Sequence, residues 1–154
     1  MKSTEMTKEQ GFCLALERAS TWFSIHADHR MKMMNFYLIL LGAILAGFAS
    51  ALEKDLPGFG IILSFVLLIV TYCFKQLDRR TSQLLKLAEA ALLKIESAIF
   101  EATKIAETRL VLGAENKGRV PSYRYIFNIL FGTGAVLGVL GCFYFSFRLL
   151  GFVE

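Results

Sequence analysis

The sequence predicts an all-α integral membrane protein: a helical hairpin with long cytoplasmic helical extensions, plus a third hydrophobic C-terminal helix. Three observations carry this. Residues 36–52 and 58–74 are uncharged apolar runs joined by only Glu53, Lys54, Asp55, Leu56 and Pro57. Residues 125–147 form a third such run. Mean hydropathy over the 154 residues is +0.53, with 55% hydrophobic residues. A soluble domain of this length rarely reaches that value, because its surface must be polar.

The first element is an amphipathic helix over residues 7–35. Thr7 and Gln10 have capping-box spacing, which satisfies two free backbone donors at a helix start. Phe12, Leu16, Ala19, Phe23 and Ala27 then recur at steps of three and four, one apolar helical face. No Pro or Gly separates Phe12 from Phe36, so this helix can continue into the first span, 36–52. Seventeen helical residues cover about 26 Å, slightly less than a hydrocarbon core of about 30 Å. Gly42 with Ala46, and Ala43 with Gly47, are small residues four apart, a face on which another helix can pack closely. The second span, 58–74, carries Ser64 and Thr71. No secretory leader precedes these spans, since some 35 mostly polar residues come first, and the N-terminus is expected to be kept.

Residues 75–112 contain neither Gly nor Pro and predict a second amphipathic helix. Leu84, Ala88, Ala91, Ile95, Ala98, Ala102 and Ile105 alternate steps of four and three, a heptad-like seam. Leu85, Leu92 and Ile99 broaden it. Gly113, Gly118 and Pro121 then break the pattern. The third span, 125–147, holds Gly134 and Gly138 as a GxxxG pair. A straight helix over 75–112 would be about 57 Å long, while the twelve residues returning to position 124 reach at most about 40–43 Å. The helix therefore tilts, or breaks near residues 97–103, or the third run does not span.

Charge sets the expected orientation. Fifteen of the seventeen basic residues lie before position 36 or within 75–124. The positive-inside rule places both segments in the cytoplasm and the C-terminus on the opposite side of the membrane. Tyr37, Tyr72 and Tyr125 fall at the inner interface, as an aromatic belt would; Trp22 lies outside it.

Chemistry-bearing groups are few. No charge lies inside the three spans, which argues against an ion-coupled transporter. Asn128 is the one strongly polar candidate there. No phosphate-binding loop, nucleophile elbow, paired carboxylate or dinucleotide fingerprint occurs, so no enzymatic activity and no cofactor are expected. His26, Asp28 and His29 resemble a metal cluster but lack a third placed ligand. They read better as a polar collar at the membrane boundary, with Arg30 on the same arm and Asp78, Arg79 and Arg80 on the other. Arg30 is expected to pair with Asp78, or Asp28 with Arg79 or Arg80. The competing reading leaves both groups facing solvent or headgroups. Cys13, Cys73 and Cys142 have no ligand spacing and read as reduced structural residues. The basic middle segment invites anionic lipid or nucleic acid, but a solvated face with positive-inside bias explains it better.

The run from Trp22 to Tyr37, WFSIHADHRMKMMNFY, leads into the first span. After the second comes FKQLDRRTSQLL from Phe74, with Glu89 and Glu96 beyond. Together these resemble the small two-span membrane effectors of bacterial anti-phage systems, those of retrons and the related SLATT-type effectors. The resemblance covers residues 12–96, and the third span departs from the two-span plan. It implies a toxin of an abortive-infection system, held inactive by a reverse transcriptase with its RNA-linked DNA. On release such a toxin disrupts the inner membrane. Membrane lipid and further copies of the chain are then the expected contacts, with direct nucleic-acid contact open. A membrane scaffold and a holin-like phage protein are the rivals, although holins usually end in a strongly charged tail. Labelling of an E154C variant in a cysteine-free background tests the third span: reagent added outside intact spheroplasts should modify it, and modification only after lysis would place the C-terminus inside.

Overall fold

The structure is a computed structural model that describes residues 7–105, 110–111 and 123–152, without the side chains of Lys8 and Glu9. The predicted break at 113–121 and the terminal Glu154 lie outside them. Among the described residues there are three long helices and no strand. They are α1, Lys8–Glu53, α2, Pro57–Thr103, and α3, Tyr123–Leu149. Each is long and apolar enough to cross a membrane, with 18-residue windows of mean hydropathy 1.9, 2.2 and 2.0. The chain divides into two compact units. One comprises Met1–Arg30 and Arg80–Val120, the other Met31–Arg79 and Pro121–Glu154.

Local chemistry explains the helix ends. The Gln10 amide donates to Thr7 Oγ1 at 3.3 Å and the Thr7 amide to Gln10 Oε1 at 3.1 Å, the reciprocal box that starts α1. At its other end the Leu56 amide reaches the Ala51 carbonyl at 2.9 Å and the Asp55 amide the Leu52 carbonyl at 3.4 Å. This is a Schellman turn, with Asp55 at φ 52° in the position glycine usually takes. Pro57 follows as the first residue of α2, where its missing amide proton costs nothing. The same turn closes α3, with Phe152 bonded to Phe147, Gly151 to Arg148, and Gly151 at φ 77°.

The second helix stops sooner than the sequence pattern predicts, at Thr103 rather than Leu112. Thr103 Oγ1 donates to the Ile99 carbonyl and accepts from the Ile105 amide, and Lys104 turns left-handed at φ 58°. A hydroxyl that serves the backbone on both sides competes with helix continuation. The break falls at the end of the 97–103 window that the length argument allowed.

The 31–79/121–154 unit packs the C-terminal part of α1, the N-terminal part of α2, and α3. Its core joins Met34, Tyr37, Phe127 and Phe131, with Leu41, Val70, Phe74 and Leu130 packed against them. The Tyr37 ring meets Phe131 edge-on, centroids 4.9 Å apart, and lies tilted to Phe74 at 5.6 Å. Farther along, Phe48 and Phe145 approach to 5.7 Å. Tyr37 was expected in the interfacial belt, yet it is fully buried, while Tyr72 and Tyr125 are more than 60% exposed. The position of Tyr37 on α1 turns it toward α3, which depth along the span does not reveal.

The two predicted small-residue faces fare differently. Gly134 and Gly138 are buried. A Cβ on Gly134 would collide with the Tyr37 hydroxyl, and one on Gly138 would come within 2.8 Å of Leu68. Gly47 lies against Leu63 of α2. Gly42, Ala43 and Ala46 are exposed, with open space at Gly42. We therefore expect G134A to destabilise the folded chain by about 1–3 kcal/mol, as overpacking does. G42A should be neutral or stabilise it by up to about 1 kcal/mol through helix propensity. Thermal unfolding of both variants in one detergent checks this, and equal shifts would contradict the packing described.

Candidate functional site

The surface of the 31–79/121–154 unit departs from the usual soluble pattern. Only 22% of the apolar windows of α2 and α3 is buried, so most of each helix surface faces outward. That outward surface carries large apolar side chains, including Ile39, Ile62, Phe65, Ile69, Leu140 and Phe143. The interior combines its apolar core with a few buried hydroxyls. Ser64 and Thr71 are buried. Ser64 Oγ donates back to the Gly60 carbonyl at 2.8 Å. The Tyr37 hydroxyl lies 3.3 Å from Thr71 Oγ1 and 3.5 Å from the Leu130 carbonyl, so one residue of α1 touches a polar group on each of the other two helices. No buried side-chain polar atom among the described residues lacks a partner. Asn128 is exposed on α3. At the turn end of this unit, Arg148 Nε sits 3.2 Å from Asp55 Oδ1. The Asp55 side chain is 75% exposed, so the pair contributes at most about 1 kcal/mol.

The charged collar is heterogeneous. Asp28, His29, Arg79 and Arg80 are exposed, His26 and Arg30 half-buried, and Asp78 buried. Asp28, Arg30 and Asp78 each engage another group. His26 stacks on Trp22 with centroids 4.5 Å apart and 24° between planes, and His29 meets His26 edge-on at 6.4 Å. His26 Nδ1 donates to the Trp22 carbonyl at 2.9 Å. This interaction occupies Nδ1 and orients the ring along the helix. Among the described residues no group of three or more His, Cys, Asp or Glu is placed to hold a metal. Cys13, Cys73 and Cys142 are free thiols.

In the 1–30/80–120 unit, the predicted face of α1 (Phe12, Leu16, Ala19, Phe23 and Ala27) is half-buried throughout. On α2 the inward row is rotated from the predicted seam. Ala88 is buried and Leu84 and Ile95 half-buried, but Ala91, Ala98, Ala102 and Ile105 are exposed, with Ile105 beyond the helix end. Leu85, Ala88, Leu92, Glu96 and Ile99 line the inward row instead. Leucine and isoleucine remove more apolar area from water than alanine does, which selects this rotation.

Glu96 in that row is a buried carboxylate that sequence periodicity missed. Both its oxygens accept from the Val111 amide, at 3.1 Å each. The chain beyond Thr103 therefore returns to α2 fifteen residues later. A bond to a charged acceptor contributes about 1.5–3 kcal/mol, enough to hold Val111 in place.

An open apolar groove of about 640 Å³ runs between α1 and α2 of the same unit. Its lining includes the small residues Gly11, Ala15, Ala19, Ala88 and Ala91. Leu14, Trp22 and Leu87, each about half exposed or more, stand in its walls. Arg18 is its one charged lining residue.

No protein-family model matches this chain, and no solved structure matches it. Among curated proteins it is similar to CD-NTase-associated protein 19 of Escherichia coli, with 32% identity over 87 residues. The match takes in 55% of this chain and 58% of that protein, so the chain spans under two thirds of its relative's length.

The Glu96 contact gives a direct expectation. E96L should speed hydrogen exchange at the Val111 amide by about ten- to a hundredfold, the equivalent of a charged hydrogen bond, and leave amides within α1 unchanged. E96Q, which keeps a neutral acceptor, should fall between. Unchanged exchange at Val111 in E96L would mean that the carboxylate does not hold this segment.

Proposed function

We propose that this chain is a membrane effector of an anti-phage abortive-infection system. It is a non-catalytic toxin that disrupts the bacterial inner membrane once released from a restraining partner. The observation that carries the reading is the surface of the three-helix unit. Its three helices expose long apolar faces, while Ser64 and Thr71 are buried and no buried side-chain polar atom described lacks a partner, which is what hydrocarbon solvent requires. Residues 36–52, 58–74 and 125–147 then cross the bilayer, and the N-terminus and the 75–124 segment lie in the cytoplasm. The defence context draws on two independent supports, the layout shared with retron effectors and the relative named for association with a CD-NTase. The retron layout favours a reverse transcriptase with RNA-linked DNA as the restraining partner. The relative's name favours a nucleotidyltransferase in that place.

A second reading has one observation behind it. An apolar groove outside the spans would also be available to a membrane scaffold that anchors a soluble protein without harming the bilayer.

Induction of the full chain alone in Escherichia coli separates the two. The effector reading expects a potential-sensitive dye to report depolarisation within minutes, before growth stops. A membrane potential that stays intact, with the protein recovered in the inner-membrane fraction, would reject the toxin and leave the scaffold. The neighbouring genes discriminate further: a reverse transcriptase or nucleotidyltransferase supports defence, whereas an endolysin supports a holin.

A further inference from the structure

The described residues of the 1–30/80–120 unit bury little apolar surface. Leu85 and Ala88 are the only buried hydrophobic residues among those described there. Yet Leu14, Trp22, Ile25 and Leu87 are all close to or above half exposed. A two-helix pair has no third layer on which to bury a second apolar face.

We propose that the α1–α2 groove is the contact surface between two copies of this chain, and that the pair closes it as a four-helix bundle. Three features select a second copy over another occupant. The same patch offers both halves of an interlocking contact: projecting Leu14, Trp22 and Leu87, and a floor of small residues for projections to enter. Such a surface is self-complementary under a two-fold axis, the commonest symmetry of homo-oligomers. Gly11, Ala15 and Ala19 follow one another at steps of four along α1. Small residues in that register let a facing helix approach to about 8 Å, the close end of helix packing. The groove is also almost uncharged. Arg18 can lay its stem along the wall and keep its guanidinium in water, so two copies meet without burying like charges. Two helix pairs docked in this way supply the missing layer, as antiparallel bundles do.

The proposal takes its purpose, not its geometry, from the effector reading: pairing through the groove would be the first step of assembly. Its test therefore needs no toxicity. The full chain is studied in detergent micelles by sedimentation velocity over a range of protein-to-detergent ratios. Emission of Trp22, the single tryptophan, is followed in parallel. Dimer should accumulate with concentration, and Trp22 emission should shift blue in step as its exposed edge is covered. L87E, at a residue 68% exposed, should raise the dimer Kd at least tenfold with helix content unchanged. A15F, which fills the floor, should do the same. A chain that stays monomeric at every ratio with full helix content would overturn the proposal. So would a dimer that L87E and A15F leave intact, since its interface would lie elsewhere. A blue shift that follows added lipid vesicles and not protein concentration would assign the groove to lipid and also overturn it. Depolarisation without dimer would sink this proposal and spare the effector; dimer without depolarisation would do the reverse.

Discussion

Tyr37 can stand among three helices only because Gly134 has no side chain. Its hydroxyl fills the volume that a Cβ on Gly134 would claim. From there it reaches Thr71 on α2 and the Leu130 carbonyl on α3, while its ring packs on Phe74 and Phe131. Close packing tolerates little change of volume. The third helix therefore docks onto the hairpin in one register, with Gly138 over Leu68 and Gly141 over Ser64 following from it. The hydroxyl is as important as the ring. In a dry interior an unpaired phenol costs about 1–3 kcal/mol, and the two acceptors available to Tyr37 lie on different helices.

The remainder of that unit obeys the same exclusion of unsatisfied groups. Ser64 bonds back to its own helix, and the buried polar atoms described are all partnered. The outward surface of the spans is left mainly to apolar side chains. The 1–30/80–120 unit is built on another principle. It buries little and uses directed polar contacts, such as Glu96 with Val111 and His26 with the Trp22 carbonyl.

What was legible in the sequence was what depends on neighbours along the chain. The Thr7/Gln10 box, the tight hairpin turn and the three apolar runs are local, and their chemistry announces them. The depth of a residue in the span is also local, but the side of the helix that meets another helix is not. Tyr37 and Tyr72 both fit an interfacial belt, yet one is the most enclosed aromatic and the other is exposed. Gly42 with Ala46 and Gly134 with Gly138 share one spacing and have opposite surroundings, because spacing specifies a face and leaves its partner open. Glu96 hid in plain view. A carboxylate beside a weak alanine seam reads as solvated unless the donor fifteen residues later is known. The helix end at Thr103 was bracketed by the length argument alone, because threonine closes a helix through its own hydroxyl, with neither Gly nor Pro to mark the place.

Asp55 is synthesised long before its partner, since Arg148 lies 93 positions later. On the membrane reading, the hairpin tip crosses the bilayer carrying Glu53, Lys54 and Asp55 alone, with one excess negative charge. The Schellman turn already satisfies the Ala51 and Leu52 carbonyls there, so fewer backbone acceptors are left bare at the tip. Arg148 arrives only when the whole of α3 has been made, and it cancels that excess at the far side. The ion pair is therefore weak as a source of stability yet informative about topology. It can form only where the hairpin tip and the C-terminal end of α3 lie on the same side.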